Sequence, residues 1–383
     1  MGYFKRRSDG GETIVLIERR EIMNKIKLFT HGADLDGIGC AILAYLAFGR
    51  ENVEVEYCDY KDVDGTIREF YLCGNPDDYD VIFITDISVD EEVASEIDSL
   101  VASGQKWRLF DHHGTALGLN AYEWCEVLVL HHYTGIKTSG TELLSMYLFE
   151  NEQFDHYDAH TIENIDRFVD IVRDYDTWRW KELGDEGTVC KQVNDLFHIY
   201  GREKFIEWVM DQLTKSEPEL KTLHGEIFAI LDPNNTDQLR EPYITFPRFT
   251  DMDNVLLDQK QKDIDCYIEK KDKHLVTMKD QFGYSCGVVF AEQYFNELGN
   301  RLCEMHPELD YVAIIDVCKG VVSYRTVREG LDLGGEIAHS FGGGGHKKSA
   351  GSTFDGRFMM EMVMYGVFQN KCNLIDVEVD SGD

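Results

Sequence analysis

Three short runs in the first third of the chain each stop at an acid or a histidine. Lys25–Phe29 leads to His31, Asp34 and Asp36, Val81–Thr85 leads to Asp86, and Trp107–Phe110 leads to Asp111-His112-His113. Runs of about five residues, rich in β-branched and aromatic side chains and bounded by polar turns, have the length and composition of buried strands. A fully buried strand belongs to a parallel sheet covered on both faces. In an open parallel sheet the carboxyl ends of the strands share one edge, and ligands bind there. Residues distant in sequence are therefore expected at one point, and a point shared by carboxylates and imidazoles suits a metal ion.

The intervening segments support that architecture. Helical patterns over Ile38–Phe48, Thr66–Leu72 and Glu91–Ser103 alternate with strand patterns, including Val53–Cys58, Lys106–Phe110 and Glu126–Leu130. Such alternation predicts an α/β fold whose N-terminal parallel sheet carries helices on both faces. Ser139-Gly140-Thr141-Glu142 reads as a capping box opening the next helix. A helical stripe over 161–175 places Asp176 at a helix end, and residues 190–230 read as further helix. Asp232-Pro233 and Glu241-Pro242 mark a loop, and Asn254–Lys279 reads as a charged linker helix. A smaller α/β domain follows, with strands at Gly287–Ala291, Tyr311–Val317 and Val321–Arg325, a helix at Tyr294–His306, and a Gly342–Gly345 run ending in His346. The expected division is 1–23 as an extension, 24–215 as the metal-bearing domain, 216–281 as the linker, 282–370 as the second domain and 371–383 as an acidic tail. The run Glu18-Arg19-Arg20-Glu21 has the composition of a translated ribosome-binding site, so Met23 is the expected natural start.

Charge narrows the function. With 71 acidic against 38 basic residues the formal net charge is −33. Such a body repels long polyanions, which argues against binding duplex DNA through many phosphate contacts. Ten cysteines with no C-x-x-C pair suit reduced thiols in a cytoplasm. No stretch approaches the roughly 18 apolar residues of a membrane span.

The candidate ligands differ in strength. Asp34 and Asp36, two apart after a strand and followed by Gly37, can address two different ions, whereas an EF-hand needs a third acid before its glycine. Asp86 alone reads equally as a helix cap, although Asp90 is the better-placed cap for the next helix. Asp111-His112-His113 offers three groups directly after a buried strand. His131-His132 and Asp155-His156 follow no strand end and read as structural. Of Asp170, Asp174 and Asp176, the last sits where the helix stops. The glycine run reads either as a concave array of backbone N–H groups for phosphate, with His346, Lys347, Lys348, Arg325 and Arg328 adding charge, or as a flexible turn.

The ordered set formed by His31-x-x-Asp34-x-Asp36-Gly37, Asp86, Asp111-His112-His113, Asp176-Thr177 and the terminal Gly342–His346 resembles the DHH/DHHA1 phosphoesterase superfamily over nearly all of residues 24–355, and within it the bacterial oligoribonuclease branch. The resemblance implies that His31, Asp34 and Asp86 hold one Mn²⁺ (Mg²⁺ or Co²⁺ being substitutes). Asp36, Asp86, His112 and Asp176 would hold a second. His31 is the ligand whose spacing departs from many relatives. His113 and Asp111 are the implied catalytic residues, and Arg325, Gly343, Gly344, Gly345 and His346 the implied grip on a nucleotide end. Two such ions activate water for in-line displacement at phosphorus. The implied activity is hydrolysis of very short single-stranded RNA to mononucleotides. Alternatives that keep the chemistry are 3′-phosphoadenosine 5′-phosphate or a linear or cyclic dinucleotide as substrate; an inactive nucleotide-binding scaffold would have lost ligands that are all present here. Digestion polarity and oligomeric state, a dimer included, stay open at this level.

Overall fold

The structure, a computed structural model, describes residues 25–214 and 246–355, together with 357 and 361. The expectations for residues 1–22, for 215–230, for the loop at 232–242 and for the acidic tail lie outside the described residues. The chain divides into two compact units, Met1–Leu256 and Leu257–Asp383.

In the first unit strand and helix alternate as β1 (Ile26–His31), α1 (Leu35–Phe48), β2 (Val53–Cys58), α2 (Val63–Cys73), β3 (Val81–Thr85), α3 (Glu91–Ala102), β4 (Trp107–Asp111) and β5 (Cys125–Val127). The helices α4 (Gly140–Glu150), α5 (Ala159–Asp176), α6 (Asp185–Tyr200) and α7 (Arg202–Thr214) follow. The sheet is parallel throughout, in the order β2-β1-β3-β4-β5. The chain leaves β1 toward β2 on one side and returns to β3 on the other, so the topological switch lies between β1 and β3, where such sheets bind ligands.

Side-chain alternation along the strands buries both faces. Phe29, Ile82, Ile84, Trp107 and Leu109 pack with Val63 and Ile67 of α2 and with Val93, Ala94 and Ile97 of α3. The residues between them point the other way. Phe83 and Phe110 meet Tyr147 of α4 at 5.7 and 5.2 Å between ring centroids, and Phe83 stacks on Phe48 of α1. Each such fully buried large side chain contributes about 1.5–3 kcal/mol relative to exposure. Lys27, in the middle of a buried strand, is neutralised by Glu54 and Glu56 of β2 at 2.8 and 2.7 Å.

Several local expectations shift. The strand expected over 126–130 is only Cys125–Val127, because the chain then folds back on itself, with His131 donating to the Ile136 carbonyl and Leu130 bridging Lys137. The capping box is half formed: Ser139 accepts from the Glu142 N–H at 3.2 Å, but the Glu142 carboxylate is held by Arg173 at 3.1 Å. The helical stretch after 190 breaks at Gly201, whose φ of 72° ends α6 before α7 begins.

Helix α8 (Asp251–Asp272) stops short of the expected linker end, and residues 276–279 are a strand, β6 (Val276–Lys279), antiparallel to β7 (Ser285–Phe290). The latter half of α8 is core rather than linker: Ile264 and Ile268 pack on Leu298, Leu302, Val312 and Ile314. Helix α9 (Phe295–Met305) connects β7 to its parallel neighbour β8 (Tyr311–Asp316). Strands β9 (Val321–Arg325), β10 (Gly344–Gly345) and β11 (Ser349–Thr353) complete a mixed sheet in the order β10-β11-β9-β8-β7-β6. Among the described residues no helix is long and apolar enough to cross a membrane.

Candidate metal centre

The carboxyl ends of β1, β3 and β4 and the end of one helix supply the site. His31 is the last residue of β1, and Asp34 caps α1 by accepting from the Gly37 N–H at 3.2 Å. Asp36 lies in the first turn of α1, Asp86 directly follows β3, and Asp111 ends β4 with His112 and His113 behind it. Asp176 is the final residue of α5. The turn at Gly37 tolerates no side chain, since a Cβ there would lie 2.0 Å from the His31 carbonyl oxygen.

The candidate ligands expected from the sequence sort into two groups. In the first, His31 Nδ1 is 2.7 Å from Asp34 Oδ2 and 3.8 Å from Asp86 Oδ2. In the second, His112 Nε2 is 3.6 Å from Asp36 Oδ2 and 3.6 Å from Asp176 Oδ2. Asp86 joins them, its Oδ1 lying 3.3 Å from His112 Nε2. Within each triad, His31–Asp34–Asp86 and Asp36–His112–Asp176, the candidate ligand atoms all lie within 4.8 Å of one another. Asp86 Oδ2 and His112 Nε2 are buried and have no hydrogen-bond partner among the described residues. Buried polar atoms are almost always satisfied, so two orphans facing the same cluster fit a coordinated cation. Oxygen and imidazole donors without thiolate fit a hard divalent ion such as Mn²⁺ or Mg²⁺.

Electrostatics say the same. Burial, together with the charges of Asp36, Asp34 and Asp176, pushes the Asp86 carboxyl well above its ordinary range. Burial and the charges of Asp36 and Asp34 do the same to Asp176. Burial holds His112 below the usual imidazole value, which favours the neutral form that binds metal. At Asp34 burial is outweighed by the His31 hydrogen bond and charge, which hold the carboxyl below its usual range. Asp36 is anchored otherwise. Its two oxygens accept from the N–H groups of Gly140 and Thr141 at 2.7 and 2.8 Å, buried donors in the first turn of α4 that have no carbonyl partner within the helix. Gly140 has no room for a Cβ, which would stand 2.7 Å from the Asp86 Cβ and 2.9 Å from its Cα. Asp86 itself sits at φ 55°, a left-handed conformation that Asp tolerates better than most residues.

Asp111 and His113 also bring ligand atoms within 4.8 Å of Asp86 and His112, but Asp111 is engaged by four donors. It accepts from the N–H groups of His112 and His113 at 2.8 and 3.4 Å, from Ser88 Oγ, and from His113 Nδ1 at 2.7 Å. Burial would lower the His113 ring, but the Asp111 hydrogen bond prevails and raises it. Asp170 and Asp174 are claimed by arginines instead, Asp170 by Arg173 at 2.6 Å and Asp174 by Arg173 and Arg179 at 2.9 Å each. Neither His131-His132 nor Asp155-His156 belongs to any ligand grouping among the described residues. Two contributors are not visible in the sequence reading. Tyr60, after β2, puts its hydroxyl 3.3 Å from His113 Nε2, and Lys137 places a positive charge that acts on Asp176. The Val53–Cys58 run ends on the same sheet edge as the others, which is the available signal for Tyr60.

In the second unit Arg325 ends β9 with 9% of its surface exposed. Its guanidinium donates to Asn296 Oδ1 and to the Tyr324 carbonyl, and among the described residues it meets no carboxylate within ion-pair distance. Arg328 is paired with Asp310. The glycine run is not an open array of N–H donors. Gly342 and Gly343 donate to the carbonyls of His339 and Ala338, Gly344 and Gly345 pair with Gly351 and Ala350, and His346 donates to Ser349. Gly343 and Gly345 are required by packing, since Cβ atoms would meet Gly351 O at 2.0 Å and Ala350 Cα at 2.7 Å, whereas Gly344 faces open space. What the hairpin leaves exposed at its turn is His346, Lys347 and Lys348.

No family model matches the chain. Oligoribonuclease NrnB of Bacillus subtilis strain 168 is 35% identical over 328 residues, which cover 85% of this chain and 72% of that protein. Among solved structures, the DHH domain of a member of a family of ribosomal proteins is similar in fold, with a TM-score of 0.51 at 13% identity over 91% of this chain and 87% of that one. RecJ in complex with Mn²⁺ from Thermus thermophilus gives a TM-score of 0.48 at 13% identity, over 90% of this chain and 51% of that one.

Proposed function

The chain belongs to the oligoribonuclease NrnB family of DHH/DHHA1 phosphoesterases, and from that premise we propose that it is a Mn²⁺-dependent exonuclease converting very short RNA to mononucleotides. The observation that carries the reading is the pair of buried atoms, Asp86 Oδ2 and His112 Nε2, that have no hydrogen-bond partner among the described residues and stand between two candidate ligand triads. His31, Asp34 and Asp86 would hold one divalent ion, and Asp36, Asp86, His112 and Asp176 a second. Bound there, such ions would neutralise charge on the phosphate and make water a better nucleophile at neutral pH.

The remaining work falls to the protein's own groups. The α4 N-terminus fixes Asp36 through Gly140 and Thr141, so this ligand is set before substrate arrives. Asp111 fixes the His113 ring through Nδ1 and leaves Nε2 to meet the substrate, as the buried acid of a hydrolytic triad orients its histidine. From that position the protonated His113 ring donates a hydrogen bond to the phosphate or leaving oxygen as charge develops. In the second unit Arg325 supplies a buried cation that meets no carboxylate within ion-pair distance among the described residues, and burying a charge without one is costly unless an anion completes it. With His346 at the hairpin turn it forms the grip on a terminal phosphate or ribose, with Gly343, Gly344 and Gly345 shaping the approach. A net charge of −33 favours short substrates, because a long polyanion is repelled beyond the local cations. The scattered cysteines, nine of which are free thiols among the described residues, suit action in a reducing cytoplasm.

The test is digestion of end-labelled RNA of two, three, five and twenty nucleotides with and without Mn²⁺, with 3′-phosphoadenosine 5′-phosphate and cyclic di-AMP in parallel. Stepwise loss of the short RNAs with the twenty-mer spared is expected. Hydrolysis confined to the bisphosphate or the cyclic dinucleotide overturns the RNA assignment while keeping the chemistry.

A further inference from the structure

Tyr60 lies beyond the end of β2, within the same edge of the first sheet as the ligands, and no ligand triad uses it. Its hydroxyl is 3.3 Å from His113 Nε2. Its ring sits 4.9 Å from the His31 ring, tilted by 42°, and meets the His113 ring edge-on at 5.8 Å. About half of the residue remains exposed, 53% of its surface.

Asp111 holds the His113 ring through Nδ1 at 2.7 Å, which leaves Nε2 to face the Tyr60 hydroxyl. A hydroxyl can donate to Nε2 or accept from it, so Tyr60 is the second hydrogen-bond partner of the ring in either protonation state. Nε2 is also the sole ring position left through which His113 can reach a substrate oxygen. A hydroxyl suits a partner that must give way, because it can turn about its C–O bond and donate elsewhere while the ring stays in contact with His31.

We propose that Tyr60 is a positioning residue for the phosphodiester reaction: its hydroxyl holds the His113 ring aligned in the free enzyme and, when substrate takes Nε2, turns to donate to an oxygen of the scissile phosphate. No proton changes owner at Tyr60 and no bond forms there. The inference rests on the assignment of the centre as a phosphodiesterase, and its test separates the two.

The test compares Tyr60→Phe and Tyr60→Leu with the unaltered chain in saturating Mn²⁺, on a trinucleotide RNA and on bis-p-nitrophenyl phosphate, with Mn²⁺ binding measured directly. Cleavage of either substrate by the unaltered chain reports on the phosphodiesterase reading alone. The ratio of variant to unaltered rates reports on Tyr60. Removing a group that orients a neighbouring functional side chain costs about 10- to 100-fold in activity. Tyr60→Phe is therefore expected to lower kcat on RNA by that factor, with Mn²⁺ affinity unchanged. The loss on bis-p-nitrophenyl phosphate should be much smaller, because its leaving group departs without help from His113. Tyr60→Leu should match Tyr60→Phe in kcat and add a rise in KM from the lost ring. Unchanged kcat on RNA for Tyr60→Phe overturns the proposal, as does an equal loss on both substrates accompanied by weakened Mn²⁺ binding, which marks a merely structural role.

Discussion

Replacing Asp86 by Asn should stabilise the metal-free protein while destroying its activity. Asn is nearly isosteric with Asp and accepts the φ of 55° that this position demands, so the change removes charge and little else. The candidate ligand atoms of Asp34 and Asp86 lie within 4.8 Å of each other, and two unit charges at that separation repel by about 3.5 kcal/mol at an effective dielectric constant near 20. Asp36 and Asp176 add repulsion of the same sign. Without metal the cluster relieves this by retaining protons, which costs about 1.4 kcal/mol for each pH unit above the ordinary carboxylate value near 4. Both routes are partly open, so the net relief from the Asn variant is about 2 kcal/mol near pH 7, or about 4–8 °C in melting temperature for a unit of this size. The sign follows from the raised folded-state value: the folded protein binds more protons than the unfolded chain, so metal-free stability falls as pH rises above about 4. The Asn variant should show a flatter pH dependence. Mn²⁺ at a hundredfold excess over its dissociation constant returns about 2.7 kcal/mol per site to the unaltered chain, and the variant forfeits much of it. Thermal melts in chelator and in saturating Mn²⁺ should therefore rank the two proteins in opposite orders, while turnover of a trinucleotide falls by about 10³-fold or more. A variant that melts below the unaltered chain in chelator, or that turns over within tenfold of it, refutes the shared-ligand arrangement.

Three further perturbations probe separate parts of the argument. Gly140→Ala places a Cβ against the Asp86 backbone; a displacement of about 1 Å costs about 10²-fold, so kcat should drop by that factor and Mn²⁺ affinity should weaken, as read by turnover and by metal titration. His346→Ala should raise KM for short RNA about tenfold, equivalent to about 1.4 kcal/mol of lost binding, with metal content unchanged; an unaltered KM removes the hairpin turn from the substrate grip. His306 is bonded to Asp272 at 2.6 Å, and that partner raises its ring above the usual imidazole value against the opposing effect of burial. A raised value means stability that is fully present below about pH 6.5 and is lost as pH rises through the folded-state value. His306→Gln should therefore cost about 0.5 kcal/mol at pH 5.5 and nothing at pH 8.5 in denaturant melts, the small size reflecting a partly solvated pair.

What the chain discloses before folding depends on whether a residue's surroundings are local. Val81–Thr85 is read to the residue because burial on both sheet faces leaves a compact apolar signature, and Val53–Cys58, at the sheet edge, because its Val-Glu alternation has the two-residue period of a strand; Asp86 and His112 are legible as candidate ligands because each directly follows a buried strand. Glu142 looks like the reciprocal half of a capping box, yet Arg173, 31 residues on, takes its carboxylate. The glycine run looks like a nest of free N–H groups, yet whether an N–H is free depends on β11, which claims Gly344 and Gly345 from across a hairpin. Lys27 interrupts a strand pattern because its two counter-charges, Glu54 and Glu56, lie on the neighbouring strand. Tyr60 is not legible because an aromatic beside a strand is ordinarily core, and only the position of His113 makes its hydroxyl informative. The three acids of α5 join the two cases. Asp170 and Asp174 are neutralised by arginines of their own segment, and Asp176, at the point where the helix runs out of turns to place such a partner, keeps a carboxylate oxygen 3.6 Å from His112 Nε2. The helix terminus is thus what separates a candidate ligand from two structural ion pairs, and a terminus is a feature that hydrophobic periodicity does locate.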